Sequence, residues 1–83
     1  MALINEAVSP LPNTAKPPNL PQEISWRGKT VSIQTCLTHW RLESGWWHQD
    51  DRRDYFRVSS AIGRLELCYR HIDAQWVLIR HDD

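Results

Sequence analysis

Residues 64–81 of the chain read RLELCYRHIDAQWVLIRH, and the side chains alternate in character along two runs within this stretch. Leu65, Leu67 and Tyr69 fall on one face of the first run, because successive residues of a β-strand point to opposite sides. Residues 76–81 alternate in the same way, and residues 72–75 between the two runs predict a short turn. The stretch therefore predicts two adjacent antiparallel strands, which set the fold class for the rest of the chain.

The residues that come before this pair add further strands of the same kind. Residues 55–60, YFRVSS, predict a strand, and a turn follows at residues 61–63. Residues 23–37 predict a hairpin in which Ile24 and Trp26 share a face and Gly28 supplies a positive φ in the turn. Residues 38–45 either continue the second strand of that hairpin or form one short helical turn.

The N-terminal part differs, because all five prolines lie between Pro10 and Pro21. Proline cannot donate a hydrogen bond to a sheet, so residues 1–22 predict a short strand followed by a Pro-rich loop, or a flexible tail. Residues 23–83 predict a small β domain. The fold class is mainly β: a single small antiparallel meander of five to six strands curled into a half-open barrel with little helix. Trp26 and Trp76 are expected in its core.

Composition narrows the range of partners and locations. The 83 residues carry ten basic and ten acidic side chains, so the chain has no net charge and no long-range attraction to nucleic acid or to an anionic membrane. It shows no apolar leader and no run of the roughly 18 apolar residues that span a membrane. Two cysteines do not make a disulfide framework. We therefore expect a cytoplasmic protein with reduced thiols.

Two Cys-x-x-His pairs offer the four ligands that a tetrahedral zinc ion needs: Cys36 with His39, and Cys68 with His71. Residues three apart on a strand point to opposite faces, so each pair would need a bend, and Cys68 lies within a clean alternating run. The sequence therefore favours no metal site, and a small zinc protein remains an alternative. It also contains no nucleophile elbow or glycine-rich phosphate loop, so we expect neither catalysis nor a cofactor.

Residues 45–58, GWWHQDDRRDYFRV, place tryptophans beside arginines. Both residue types are favoured at protein interfaces, and Arg stacks on indole rings. We expect a non-catalytic module that binds another protein, as a monomer or dimer and without membrane contact. The alternative is a small β-barrel that binds single-stranded nucleic acid by stacking bases on aromatic side chains. Its stacking candidates are Trp40, Trp46, Trp47, Tyr55 and Tyr69. The predicted partner-binding residues are Trp46, Trp47, Arg52, Arg53 and Arg57.

The order of several short stretches resembles a known bacterial module. These are ISWRGKTVSIQ (24–34), HWRLESGWW (39–47), RRDYFRV (52–58), ELCYR (66–70) and WVLIRHD (76–82). They resemble a small bacterial domain of unknown function that also exists as a standalone protein beginning with Leu-Ile-x-Glu-x-Val, as residues 3–8 do here. The module is similar to the C-terminal segment of the Y-family polymerase-like subunit of the bacterial mutasome. The resemblance implies a role near DNA repair or damage tolerance, without catalytic residues.

Overall fold

The computed structural model describes residues 2–17, 19–43 and 52–82. Each strand is antiparallel to the next, and the last pairs with the first, so the sheet closes into a barrel. This confirms the predicted mainly β meander, and the predicted half-open barrel is in fact closed. No helix occurs within the described ranges. The strands are β1 (Ala2–Leu11), β2 (Glu23–Trp26), β3 (Lys29–Glu43), β4 (Arg52–Ser60), β5 (Gly63–Arg70) and β6 (Gln75–Asp82).

Alternate positions of the strands fill the interior. In β4, Asp54, Phe56 and Val58 are buried, while the residues between them are more exposed. Each fully buried aliphatic or Phe side chain stabilises the fold by about 1.5–3 kcal/mol relative to an exposed one. The core therefore depends on the same two-residue period that the sequence displays. Its buried members are Val8, Ile24, Val31, Phe56, Val58, Leu65, Leu67, Tyr69, Trp76 and Leu78.

Closure depends on β1, which divides its length between two neighbours. Its first part pairs with β6, from Ala2 opposite His81 to Val8 opposite Trp76. Its last three residues pair with β2. A register shift lies between Leu3 and Glu6 in this strand. The segment that the sequence offered as a strand or a tail is thus the strand that joins the two sides of the sheet.

The proline-containing connection from β1 to β2 packs against the barrel. Pro21 is fully buried, and Leu20 packs on the core. The indole nitrogen of Trp76 donates a hydrogen bond of 3.0 Å to the carbonyl oxygen of Ala15. Trp76 therefore satisfies its one polar atom through this connection, as a buried tryptophan requires.

The two tryptophans expected in the core differ in depth. Trp76 is 1% exposed, and its ring lies 5.4 Å from that of Phe56 and 5.1 Å from that of Tyr69. Trp26 is partly buried and packs against the edge of the core. Its indole nitrogen donates to Oε1 of Glu6 at 3.1 Å. The prediction of a core position is confirmed for Trp76. Trp26 lies instead at the edge of the core, where its indole N–H reaches the partly exposed carboxylate of Glu6.

The turn between β2 and β3 agrees with the sequence prediction. Arg27 and Gly28 both have positive φ, 52° and 75°, as the tightest hairpin turns require. The helical alternative for residues 38–45 is wrong over 38–43, because β3 continues as a strand through Glu43; residues 44 and 45 lie outside the described ranges. None of the described residues forms a helix long and apolar enough to cross a membrane.

Candidate functional site

The outer face of β3 and β4 carries a stacked aromatic pair. Trp40 lies directly opposite Tyr55 in the β3–β4 register. Their ring centroids are 5.5 Å apart, and the planes differ by only 8°. Cross-strand neighbours on one face of a sheet come close enough for such contact. Since Asp54 and Phe56 point inward, Tyr55 between them must point outward, so the pair lies on the outside of the barrel.

Charged and apolar side chains border this pair on the same face. The guanidinium carbon of Arg57 lies 5.7 Å from the centroid of the Trp40 ring, within the range of a cation–π contact. Leu42 is 53% exposed and lies opposite Arg53 in the register. We call this set the outer patch. Its members are Trp40, Leu42, Arg53, Tyr55 and Arg57.

A shallow pocket of about 200 Å³ lies next to the outer patch, across β4, β5 and β6. Glu66 stands between Arg57 and Arg80 in the register, and Arg64 stands opposite Asp82. The Arg57–Glu66 contact is long, with 3.4 Å from guanidinium nitrogen to Oε1. Arg57 thus belongs to both features. We call this feature the arginine pocket, which is lined by Arg57, Arg64, Leu65, Glu66, Arg80 and Asp82.

The predicted partner-binding residues are placed differently from one another. Trp46 and Trp47 lie outside the described residues. Arg53 and Arg57 occupy outward positions on β4 and join the outer patch. Arg52 is exposed at the start of β4, opposite Glu43, and its carbonyl oxygen accepts a hydrogen bond from the His71 backbone N–H at 3.1 Å. Sequence reasoning named Trp40, Tyr55 and Tyr69 only as base-stacking candidates, and it did not name Leu42. The outward position of Tyr55 follows from the alternation around Phe56, whereas Tyr69 is buried in the core.

A buried carboxylate inside the barrel binds three side chains from two other parts of the chain. Asp54 has no exposed surface. Its Oδ1 accepts from Nε2 of His39 at 2.7 Å and from Nε of Arg41 at 3.1 Å, and its Oδ2 accepts from Nε2 of His71 at 2.5 Å. Burial alone raises the pKa of Asp54. The hydrogen bonds from His71, His39 and Arg41 outweigh burial, so the pKa is lowered.

The partners of Asp54 in this cluster come from β3 and from the turn after β5, and not from the arginines at 52, 53 and 57 that neighbour it in the sequence. Those arginines point outward or lie at the end of the strand, whereas Asp54 points inward. The sequence did indicate the inward position of Asp54, because it lies two residues before Phe56 and four before Val58, which both face the core. The cluster ties β3, β4 and the turn after β5 together, and we assign it a structural role.

The histidines of the two Cys-x-x-His pairs belong to the Asp54 cluster, whereas the cysteines have different surroundings. His39 and His71 both direct Nε2 to Asp54. Cys36 is exposed, with its sulfur 3.6 Å from the Thr38 carbonyl oxygen, and Cys68 is buried. Across residues 2–17, 19–43 and 52–82, no three His, Cys, Asp or Glu side chains are arranged to hold a metal ion. The Nε2 atoms of His39 and His71 are instead hydrogen-bonded to the carboxylate of Asp54.

Comparison with known proteins gives a family without an assigned activity. No curated protein and no solved structure matches the chain. One family model, described as Domain of unknown function (DUF6504), matches residues 1–83. This agrees with the resemblance to a domain of unknown function noted from the short stretches. Since the match covers every residue, the barrel, the outer patch and the arginine pocket all lie within one family domain. The chain belongs to the DUF6504 family.

Proposed function

We propose that this domain is a non-catalytic protein-interaction module that binds another protein through the outer patch. The observation that carries the proposal is the Trp40–Tyr55 stack with Arg57 over the indole, on the outside of the barrel. Trp, Tyr and Arg are the residue types that most often dominate binding energy at protein interfaces. Here Trp40 contacts both Tyr55 and Arg57 on one face.

The stack also prepares these side chains for binding. Association is opposed by the loss of side-chain freedom, about 0.5–1.5 kcal/mol for each flexible side chain that becomes fixed. Trp40 and Tyr55 already restrict each other through ring contact, so less freedom remains to be lost. Leu42 extends the apolar area beside them with 53% of its surface exposed. A partner that covers Leu42 gains the hydrophobic free energy of that surface.

The cellular setting is part of the proposal. Stretches such as ISWRGKTVSIQ and RRDYFRV resemble the C-terminal segment of the polymerase-like subunit of the bacterial mutasome. That resemblance supports a cytoplasmic adaptor that is accessory to DNA repair or damage tolerance. The partner is then another protein of the same process.

The test is affinity purification of the tagged full chain from its host, with and without nuclease, read by mass spectrometry. We expect a defined protein partner that survives nuclease treatment. Trp40→Ala and Leu42→Ser should lose this partner. Ile72→Ser is the matched control, because Ile72 is also an exposed apolar side chain, at 69%, but lies in the β5–β6 turn. Retention of the partner by folded Trp40→Ala and Leu42→Ser variants would contradict the proposal.

A second candidate function is the binding of single-stranded nucleic acid. The observation in its favour is that arginines of the pocket adjoin a flat aromatic pair on one sheet face. Such platforms combine base stacking with phosphate contacts, and their affinity falls steeply with salt. Titration of Trp fluorescence with a deoxythymidine oligonucleotide at low and high salt tests it. A salt-sensitive shift that Trp40→Ala abolishes is expected, and no change at low salt would end this candidate.

A further inference from the structure

We infer that the partner presents an acidic side chain, Asp or Glu, to the arginine pocket, about four residues from an apolar side chain that covers the outer patch. This inference rests on the proposed function, and it names the chemistry of the partner segment. It draws on the charge of the outer sheet face, the size of the pocket, and the distance between the pocket and Trp40.

Charge is unevenly distributed over this neutral chain. The outward positions of β4, β5 and β6 hold five arginines and two carboxylates, and Asp73 of the β5–β6 turn pairs with Arg70 at 2.9 Å, which leaves that face a net charge of +2 on a chain whose net charge is zero. A face of this sign attracts an acidic partner and suppresses basic ones. The arginines are Arg53, Arg57, Arg64, Arg70 and Arg80, and the carboxylates are Glu66 and Asp82.

The pocket favours one carboxylate over a chain of phosphates. Glu66 and Asp82 alternate with arginines in the register, so a strand of nucleic acid, with a charge about every 3.4 Å, would meet carboxylates as well as guanidinium groups. A single carboxylate needs only one guanidinium group, because Arg binds a carboxylate through two parallel N–H donors. Leu65 also lines the pocket and adds no charge.

The size of the arginine pocket also favours a single acidic side chain. At about 200 Å³, the pocket is smaller than the roughly 300–1,000 Å³ typical of sites that enclose a whole small molecule. It suits one side chain. The weak 3.4 Å contact between Arg57 and Glu66 leaves the Arg57 guanidinium able to turn toward an incoming carboxylate, because an exposed pair of this kind contributes little.

The distance between the two features sets the spacing in the partner. Trp40 shares a rung of the sheet with Tyr55 and Cys68, whereas the pocket is centred near Leu65. The two features are therefore two strand spacings of about 4.8 Å apart across the sheet and about three residues, or about 10 Å, apart along β5, which makes about 14 Å in all. An extended chain advances about 3.3–3.6 Å per residue, so about four residues separate the apolar side chain on the outer patch from the acidic side chain in the pocket.

The test is an NMR titration of the ¹⁵N-labelled full chain with the peptide acetyl-Leu-Ser-Ser-Ser-Glu-amide. We expect saturable shifts of the Arg64 and Arg80 side-chain N–H signals together with the Trp40 indole signal. Replacing Glu by Gln in the peptide should weaken binding about tenfold, as loss of a charge-assisted pair does. This comparison leaves the protein unchanged, so it needs no variant to fold.

Protein variants supply the complementary measurement. Arg64→Gln and Arg80→Gln should each weaken binding of the Glu peptide and leave binding of the Gln peptide unchanged. Lys29→Gln is the matched control, because it removes the same charge from an exposed position outside the pocket. Equal affinity for the two peptides would overturn the inference. So would a deoxythymidine oligonucleotide that shifts the same arginine signals and displaces the peptide.

The two proposals fail in different ways. If affinity purification yields a partner that Trp40→Ala loses, while the Glu and Gln peptides bind equally, the interaction module stands and the acidic motif is wrong. If the full chain retains no protein partner after nuclease treatment, the proposed function fails, and this inference fails with it.

Discussion

Nε2 of His39 lies 2.7 Å from Oδ1 of Asp54, a carboxylate that has no exposed surface. His39 is on β3 and Asp54 on β4, and the opposite carboxylate oxygen binds His71 in the turn after β5. One carboxylate thus holds three consecutive parts of the barrel wall. Buried polar groups of this kind stabilise a fold only while all of their partners are present.

The first prediction concerns Asp54→Asn. The substitution removes the charge but keeps the volume, and it replaces one of the two acceptor oxygens by an NH2 donor, so the three partners no longer all find an acceptor. We expect a loss of about 1–3 kcal/mol in the free energy of unfolding, the usual cost of leaving a hydrogen-bonding group of a buried site unsatisfied, because His39, Arg41 and His71 keep 24–49% of their side chains exposed to water. Urea denaturation measures it. Asp73→Asn, at a partly exposed ion pair with Arg70, is the control and should change stability by less than about 1 kcal/mol. Equal losses would contradict the structural role of the cluster.

The second prediction follows from the lowered pKa of Asp54. Its hydrogen bonds favour the charged form in the folded state. The stability that it contributes is therefore complete above the unfolded pKa of about 3.9, and it is lost as pH falls from there through the folded pKa. Urea unfolding followed from pH 7 down to pH 2 should show this loss, mostly below pH 4, in the wild type and a smaller one in Asp54→Asn. A ¹³C titration of the Asp54 carboxyl group checks the same point in the wild type. A pKa above 3.9 there would contradict the hydrogen-bond argument.

The third prediction compares apolar truncations at two depths. Trp76→Ala removes a ring that is 1% exposed and packed against Phe56 and Tyr69. It should cost about 3–5 kcal/mol, enough to unfold much of a small domain. Leu42→Ala removes surface that is already exposed, and it should cost within about 0.5 kcal/mol. Thermal unfolding of both variants tests the assignment, and an unchanged melting temperature for Trp76→Ala would contradict it.

The fourth prediction separates the two thiols. Cys36 is exposed, whereas Cys68 is buried. Burial raises the pKa of Cys68 above its ordinary value, although a hydrogen bond involving Tyr55 opposes the shift. Because the thiolate is the reactive form, iodoacetamide at pH 8 should label Cys36 rapidly and Cys68 only after denaturation. Mass spectrometry of Cys36→Ser and Cys68→Ser locates each reaction. Equal rates in the folded chain would contradict the burial of Cys68.

Local patterns predicted the parts of the fold that depend on neighbouring residues. The alternation from Leu65 to Tyr69 gave β5, and Gly28 marked the turn between β2 and β3, where its φ is 75°. These features need only the period of a strand and the steric freedom of glycine. They could therefore be recognised before any contact was known.

Contacts between distant residues could not be predicted in this way. Closure depends on β1 pairing with β6, which lies at the opposite end of the chain, and no local pattern specifies a partner that far away. The Asp54 cluster is similar, because His39 and His71 meet it only through the registers of β3 and β5. A polar residue at an inward position marked Asp54 as unusual. Its partners on β3 could not be predicted, because they depend on the register shift between Cys36 and Thr38. Arg53 and Arg57 were predicted as surface residues. The aromatic stack beside them could not be predicted, because it depends on the pairing of Trp40 with Tyr55 between two strands.

The pairing of β1 with β6 has a consequence for synthesis on the ribosome. Within the domain, β1 is made before any other strand, yet one of its two neighbours is the strand made last. Until β6 has left the exit tunnel, β1 can pair only with β2, and one edge of β5 has no neighbouring strand. Folding of the complete barrel must therefore follow translation of its final strand, and nascent chains shorter than this should depend on chaperones that shield exposed strand edges.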